Sequence, residues 1–247
     1  MQTYKLIIGG FLGGVIGSII AVPLGDLNVI LLPITCGACI GVGVFFKMSE
    51  SIAKKAKQAG LGFAGGVVFL LFIWLVSVLS FKVKIVEKFF TFEGKYLTYP
   101  FLDYAEILTW YSAILSLCLF LGKLVKWKRD RSDDVKGSPK NIIPLLIVIV
   151  LVGPIIIGIT SGIAFYFIDE SLGISGSKGQ GLITGPILKL IIFYGAIFGI
   201  IGAGIGVEKC LLDDYIKKTI YKNKNKVIPE PEINKGFAIT YKEEGVE

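Results

Sequence analysis

The chain contains one pair of residues with the spacing of a redox or metal-binding motif. Cys36 and Cys39 form a C-x-x-C in the segment TCGAC, and this spacing serves disulfide exchange or metal ligation. Membrane thiol oxidoreductases that relay electrons to quinone need a second cysteine pair in an exposed loop, whereas Cys118 and Cys210 stand alone. A metal site would lack partners because the chain has no His. We therefore favour packing, in which both thiols act as small apolar residues.

A second candidate is Lys189, the one ionisable residue that the sequence predicts at membrane depth. A charge in hydrocarbon costs about 2.5–3.5 kcal/mol or more, so such a residue is a functional candidate by default. Two interpretations are open. Gly185 and Pro186 could begin the helix, which would place Lys189 near the outer boundary as an interfacial anchor. Alternatively, Lys189 belongs to an outer polar cluster whose acidic members are Asp26, Glu106 and Asp169.

Other catalytic constellations are absent from the sequence. Without His there is no Ser–His or Cys–His pair, and no phosphate-binding loop with a following Lys and Ser/Thr occurs. No pair of acids is predicted inside a span for proton relay or sodium binding. We expect no catalytic residue, no metal and no cofactor, and a membrane enzyme is the least favoured class.

The candidate residues lie on or beside six apolar stretches, which are found between Lys5 and Lys209. Hydrophobic residues make up 53% of the chain and its mean hydropathy is +0.73, well above the balance of a soluble domain. A helix of about 18–20 apolar residues crosses a bilayer core of about 30 Å. The sequence predicts an all-α, polytopic bundle with spans at 6–24, 27–46, 61–81, 105–122, 142–167 and 187–207.

Lys and Arg are distributed unevenly between the predicted loops. With the N-terminus inside, cytoplasmic segments carry 20 of the 26, as the positive-inside rule requires. The net charge of +7 is thus a topology signal and not a sign of nucleic-acid binding. We predict both termini in the cytoplasm, a membrane domain over 1–222, a flexible polar tail over 223–247, and the cell or cytoplasmic membrane as the location.

Glycine recurs every four residues in four of the spans. Gly on one helix face lets two backbones approach closely enough for dispersion contacts and Cα–H···O bonds. This spacing predicts a glycine zipper whose role is either static packing or a sliding, gating interface. We expect spans 1, 2, 5 and 6 at the centre and span 4 at the periphery. The predicted helix-packing positions are Gly9, Gly13, Gly17, Gly37, Gly41, Gly158, Gly162, Gly195, Gly199, Gly202 and Gly206.

An internal similarity relates residues 41–55 to residues 204–218. It predicts that spans 1–2 and 5–6 are parallel hairpin repeats, which are common in transporters. The alternative is that Gly-rich membrane segments resemble each other by composition. Residues 47–58 are predicted to form a short cytoplasmic interfacial helix that Ser49 could cap.

Two function classes remain for a chain with this organisation. The first is a permease-type or translocation component that acts with partner subunits. Because no ionised group other than Lys189 is predicted inside a span, its substrate would be neutral or amphipathic. The second is a non-catalytic structural or assembly subunit of a larger membrane complex. In both classes the partners are the lipid bilayer and homo- or hetero-oligomeric membrane proteins.

Overall fold

A computed structural model of the chain describes residues 3–45, 51–82, 100–130, 142–172 and 187–227. Within these ranges the chain is helical, apart from Ser51, and contains no strand. A 3₁₀ turn over Val22–Leu27 joins the first two helices. The helices are α1 (Thr3–Ala21), α2 (Asn28–Phe45), α3 (Ile52–Lys82), α4 (Pro100–Asp130), α5 (Ile142–Leu172) and α6 (Ile187–Val227).

The helices have the length and composition of membrane spans. Five are long and apolar enough to cross a bilayer, and α2 contributes a shorter apolar segment, Ile30–Phe45. Because lipid offers the backbone no hydrogen bonds, helices that satisfy their own amides are the expected structure. The prediction of an all-α, multi-pass helical membrane bundle is confirmed.

The six helices form a closed ring in which sequential neighbours are antiparallel. Helix α1 closes the ring by packing against both α2 and α6. The other odd-numbered helices also pack against two neighbours each: α3 lies between α2 and α4, and α5 lies between α4 and α6. Helices α2, α4 and α6 also touch one another across the middle. The even-numbered helices therefore form the centre, and the odd-numbered helices surround them.

The expectation that α4 lies at the periphery was wrong. Its side chains Tyr111 and Leu115 are fully buried. The Tyr111 ring makes edge-to-face contacts with Phe69 at 5.1 Å and Phe198 at 5.4 Å between centroids. Its hydroxyl donates a hydrogen bond to the carbonyl oxygen of Pro33 at 2.9 Å. Large aromatic side chains therefore contribute to the centre of the bundle.

The outer face of α1 is aliphatic and unburied within the bundle. Its residues Ile8, Leu12, Ile16 and Ile20 are each about half exposed, and in a bilayer this face meets lipid. Its other two faces carry the glycines that contact α2 and α6. Helix α1 is thus an outer helix held on two sides.

Several helix boundaries differ from the sequence prediction. The expected interfacial helix over 47–58 and the third span are one continuous helix, α3, in the part that the structure describes. Its first turn begins after Ser51, whose carbonyl accepts hydrogen bonds from the amides of Lys54 and Lys55, while Ser49 lies outside the described residues. Helix α6 likewise continues past the predicted end of span 6 at 207 to Val227. The remainder of the predicted tail lies outside the described residues.

Candidate functional site

Glu208 is an acidic residue that lies buried inside the bundle. The sequence placed the end of span 6 at residue 207, which left Glu208 in the cytoplasmic segment. In the structure, the apolar stretch of α6 runs from Ile187 to Tyr215, so the acid lies within it. Its side chain is only 4% exposed. The expectation that no acid is buried in the bundle was therefore wrong.

The Glu208 carboxylate is directed from α6 towards α4 and α5. The Ser116 hydroxyl on α4 donates a hydrogen bond to its Oε2 at 2.6 Å. The other oxygen, Oε1, has no hydrogen-bond partner. It rests against Gly153 of α5, where an added Cβ would collide with Oε1 and lie 3.0 Å from the carboxyl carbon. Gly153 therefore provides the space that the carboxyl group occupies.

The next residue, Lys209, does not neutralise this acid. Consecutive residues of a helix point about 100° apart, and Lys209 is directed towards α2. Its Nζ lies 5.0 Å from the Phe45 ring centroid and forms an ion pair with Asp213 at 3.3 Å. The positive charge beside Glu208 in sequence is thus engaged by a different carboxylate.

Hydroxyl side chains continue from Ser116 along the face of α4 that meets α5. Ser112 donates to the carbonyl of Leu108 at 2.7 Å and lies 3.4 Å from the carbonyl oxygen of Pro154 on α5. Thr109 donates to the carbonyl of Ala105 at 2.6 Å. The three hydroxyls follow an i, i+3, i+7 pattern, which places them on one helix face. The interface between α4 and α5 is therefore polar at successive turns and ends at the buried acid.

The glycines of α1 form two rows with different partners. Gly9, Gly13 and Gly17 face α2, and a Cβ at Gly13 would lie 2.5 Å from the carbonyl oxygen of Cys39. Gly10 and its neighbour one turn on face α6 instead, meeting the carbonyls of Gly202 and Phe198. No added atom fits at these positions without moving a neighbouring backbone.

The remaining predicted packing glycines differ in how closely they contact neighbours. Most of them lie too close to a neighbour for a Cβ to fit. The neighbour that an added Cβ would contact is Gly62 for Gly37, Gln58 for Gly41, Thr109 for Gly158, Ala105 for Gly162, the Phe11 ring for Gly199, Gly10 for Gly202, and Leu6 and Ile7 for Gly206. Gly195 is the exception, since the nearest atoms would be 3.9 Å away. A Cβ is therefore tolerated at this one position of the predicted set.

The two segments of the internal similarity use their glycines differently. Gly43 contacts α1 and Gly41 contacts α3, whereas Gly206 contacts α1 and Gly204 contacts Ile157 of α5. In the first hairpin the last glycine faces its own hairpin partner, and in the second it faces α1. The hairpin repeat stays a prediction.

Lys189 contacts the end of a neighbouring helix. Its Nζ donates a hydrogen bond at 2.9 Å to the carbonyl oxygen of Leu172, the last residue of α5. A cation at this point satisfies a terminal carbonyl and opposes the negative end of the helix dipole. The outer cluster with Glu106 and Asp169 stays a prediction, and the side chain of Asp26 lies outside the described side chains.

The C-x-x-C pair lies in the contact between α1 and α2. Cys36 is fully buried, with its Sγ 3.5 Å from the Ser18 hydroxyl and 3.8 Å from the carbonyl oxygen of Gly14. Cys39 is partly buried, and both thiols are free. These surroundings supply no further metal ligand, since the described residues contain no group of three or more His, Cys, Asp and Glu.

A sequence signal for Glu208 does exist. The residues after Lys209 return to an apolar pattern, Cys210, Leu211 and Leu212, so the charged dipeptide interrupts a hydrophobic segment without ending it.

Comparison of the chain with protein-family models, curated proteins and solved structures found no match. A function must therefore be inferred from the geometry of this site.

Proposed function

We propose that the chain is a permease-type or translocation component whose working site is the buried Glu208 between α4, α5 and α6. It acts with partner subunits in the membrane. The observation that carries this proposal is a carboxyl group, 4% exposed, inside a helix of membrane-spanning length. Acids inside spans are rare, face a bundle interior or a water-filled cavity, and mark substrate or ion pathways.

The burial of Glu208 changes the substrate expected from the sequence. A neutral or amphipathic substrate was inferred because no charge other than Lys189 was predicted inside a span. A buried carboxyl group supports coupling to a cation, since a negative charge in an apolar interior needs a counter-charge or several hydrogen-bond donors. Ser116 provides one donor. We therefore propose that transport of the substrate is coupled to a cation.

The alternative role, a non-catalytic structural or assembly subunit, predicts a different behaviour of the same site. The close glycine contacts of α1 are made within the chain, to α2 and α6, so these rows are already occupied. A structural subunit would keep the Glu208 region sealed at all times. A permease must open it to water on at least one side during its cycle.

Water access can be measured without knowing the substrate. Ser116→Cys is introduced into a background in which Cys36, Cys39, Cys118 and Cys210 are replaced by Ala. Vesicles of both orientations are treated with a membrane-impermeant methanethiosulfonate reagent, and modification is followed by mass spectrometry. Should the background fail to fold, Cys36 is retained, because it is fully buried.

Two control positions define the outcomes. Ser51→Cys lies at the exposed start of α3 and should react, whereas Thr160→Cys lies on the outer, lipid-facing surface of α5 and should not. Modification of Ser116→Cys at a rate well above that of Thr160→Cys supports the permease. If Ser116→Cys stays unmodified in native membranes while Ser51→Cys reacts, the bundle is sealed and the structural role replaces the proposal.

A further inference from the structure

We propose that the Glu208 carboxyl group is a proton-binding site, with Ser116 as the residue that positions it. This deepens the proposed function by naming the coupling species, and its relevance to transport rests on that function. Glu208 is more than nine-tenths buried, and one of its two oxygens has no hydrogen-bond partner. The free oxygen, Oε1, is the atom that accepts the proton.

The number of ligands at the site favours a proton over a metal cation. Hard cations bind several oxygen ligands in proteins, commonly six or more. The Ser116 hydroxyl is the hydrogen-bond partner of the Glu208 carboxylate, and the described residues contain no group of three or more His, Cys, Asp and Glu that could hold a metal ion. On the α5 side Oε1 lies against Gly153, which has no side chain to contribute. A proton requires no coordination shell and fits this space.

The proton-binding step leaves the surrounding contacts in place. A proton delivered by water adds to a lone pair of Oε1 and converts the carboxylate to a carboxylic acid. The Ser116 hydroxyl continues to donate to Oε2. Release returns the proton to water and restores the negative charge. Glu208 lies nearer to the end of the bundle at which α1 begins, which is predicted to be cytoplasmic, than to the other end.

Several titratable groups lie on the helices packed around Glu208. On α6, Lys209 is paired with Asp213. On α4, Cys118 lies two residues beyond Ser116, and on α5 the titratable side chains follow Phe165, at the opposite end from Gly153. The titratable residues of these helices whose side chains the structure describes are Tyr104, Glu106, Tyr111, Cys118, Tyr166, Asp169, Glu170, Lys189, Tyr194, Lys209, Cys210, Asp213, Asp214 and Tyr215.

A hydrophobic carbodiimide tests the protonated state directly, because it reacts with carboxylic acids in apolar surroundings. The full chain in mild detergent is incubated with dicyclohexylcarbodiimide across a pH series, and adducts are located by mass spectrometry. We expect an adduct on Glu208 that decreases as the pH rises and is absent in Glu208→Gln. A water-soluble carbodiimide should instead reach Glu170, which is exposed at the end of α5.

Ser116→Ala and Ser112→Ala form a matched pair of variants. Both serines are fully buried on α4, but Ser116 alone donates to Glu208. Ser116→Ala removes the donor to the charged form, so labelling should persist to higher pH, with its midpoint moved by about one unit. Ser112→Ala should leave the midpoint unchanged. An equal midpoint in Ser116→Ala and the parent chain would show that Ser116 does not position the carboxyl.

Two results would overturn the proton site. One is the absence of a Glu208 adduct at every pH where the chain elutes as a folded species. The other is labelling that sodium or potassium chloride suppresses at constant pH, which would indicate a metal cation site. These failures are separate from that of the permease. A labelled Glu208 with a sealed Ser116→Cys refutes transport alone, whereas an accessible Ser116→Cys without labelling refutes the proton site alone.

Discussion

Substitution of Gly13 by Ala measures how much the close contact between α1 and α2 contributes to stability. The added Cβ would lie 2.5 Å from the carbonyl oxygen of Cys39, 2.8 Å from its carbonyl carbon and 2.9 Å from the Cα of Ile40. All three atoms belong to the backbone and cannot rotate away. Ordinary contacts lie at about 3.5–4.0 Å, so the two helices must separate locally by about 1 Å.

The size of the effect follows from two opposing contributions. Forcing an extra methyl group into a packed contact costs about 1–3 kcal/mol, and a gap of about 1 Å forfeits a quarter to a half of the dispersion energy of the atoms it separates. Replacing Gly by Ala within a helix returns about 1 kcal/mol. We expect a net destabilisation of about 1–2 kcal/mol for Gly13→Ala. The larger Gly13→Leu should prevent the folded bundle from forming.

Gly60→Ala is the matched control for this measurement. Gly60 also lies within a helix, α3, but a Cβ there would meet nothing within 4 Å. It should therefore show only the gain in helix propensity. Thermal unfolding in detergent should give a melting temperature about 2–8 °C below the parent for Gly13→Ala, and an equal or higher value for Gly60→Ala. Equal melting temperatures for the two variants would refute the packing role of Gly13.

Three further predictions use contacts elsewhere in the bundle. Tyr111→Phe removes the buried hydrogen bond to the Pro33 carbonyl and should cost about 0.5–1.5 kcal/mol in the same unfolding assay; an unchanged melting temperature would show that this bond contributes nothing. Lys189→Met removes an exposed hydrogen bond to the end of α5 and should leave the melting temperature within error, so a clear loss would indicate a larger role for Lys189. Labels placed after residue 222 and within 126–140 should be accessible on the same side of the membrane, and opposite sides would contradict six crossings.

The helices could be predicted from the sequence because hydropathy is a local property. An apolar run such as 142–167 indicates a span without knowledge of its neighbours, and α5 covers it. The arrangement of the helices is a different matter, because in lipid an apolar face does not indicate which side is buried. Few small residues in α4 suggested the periphery, whereas Tyr111 and Leu115 place this helix at the centre. The glycine spacing of α1 likewise could not identify α2 and α6 as the partners of its two rows.

The candidate site was missed because charge was used to mark the end of a span. Glu208 and Lys209 together resemble the polar end of a helix, and hydropathy cannot distinguish a charged pair in water from one directed into a bundle. The contact of Glu208 with Ser116, 92 residues away in sequence, shows that this side chain is directed into the bundle. Such a contact depends on the closure of the ring, which no local pattern encodes.

The unfolding of Glu208→Met tests most directly whether the carboxyl group serves function and not folding. A buried polar group with an unsatisfied oxygen is costly, and its replacement by an apolar side chain of similar volume is often neutral or stabilising. The Ser116 hydroxyl can then bond within its own helix, to the carbonyl four residues before it. We predict a melting temperature equal to or above that of the parent chain. A fall of about 4–8 °C, equivalent to roughly 2 kcal/mol, would show that Glu208 is a structural anchor and would contradict its proposed role as the working site of a permease.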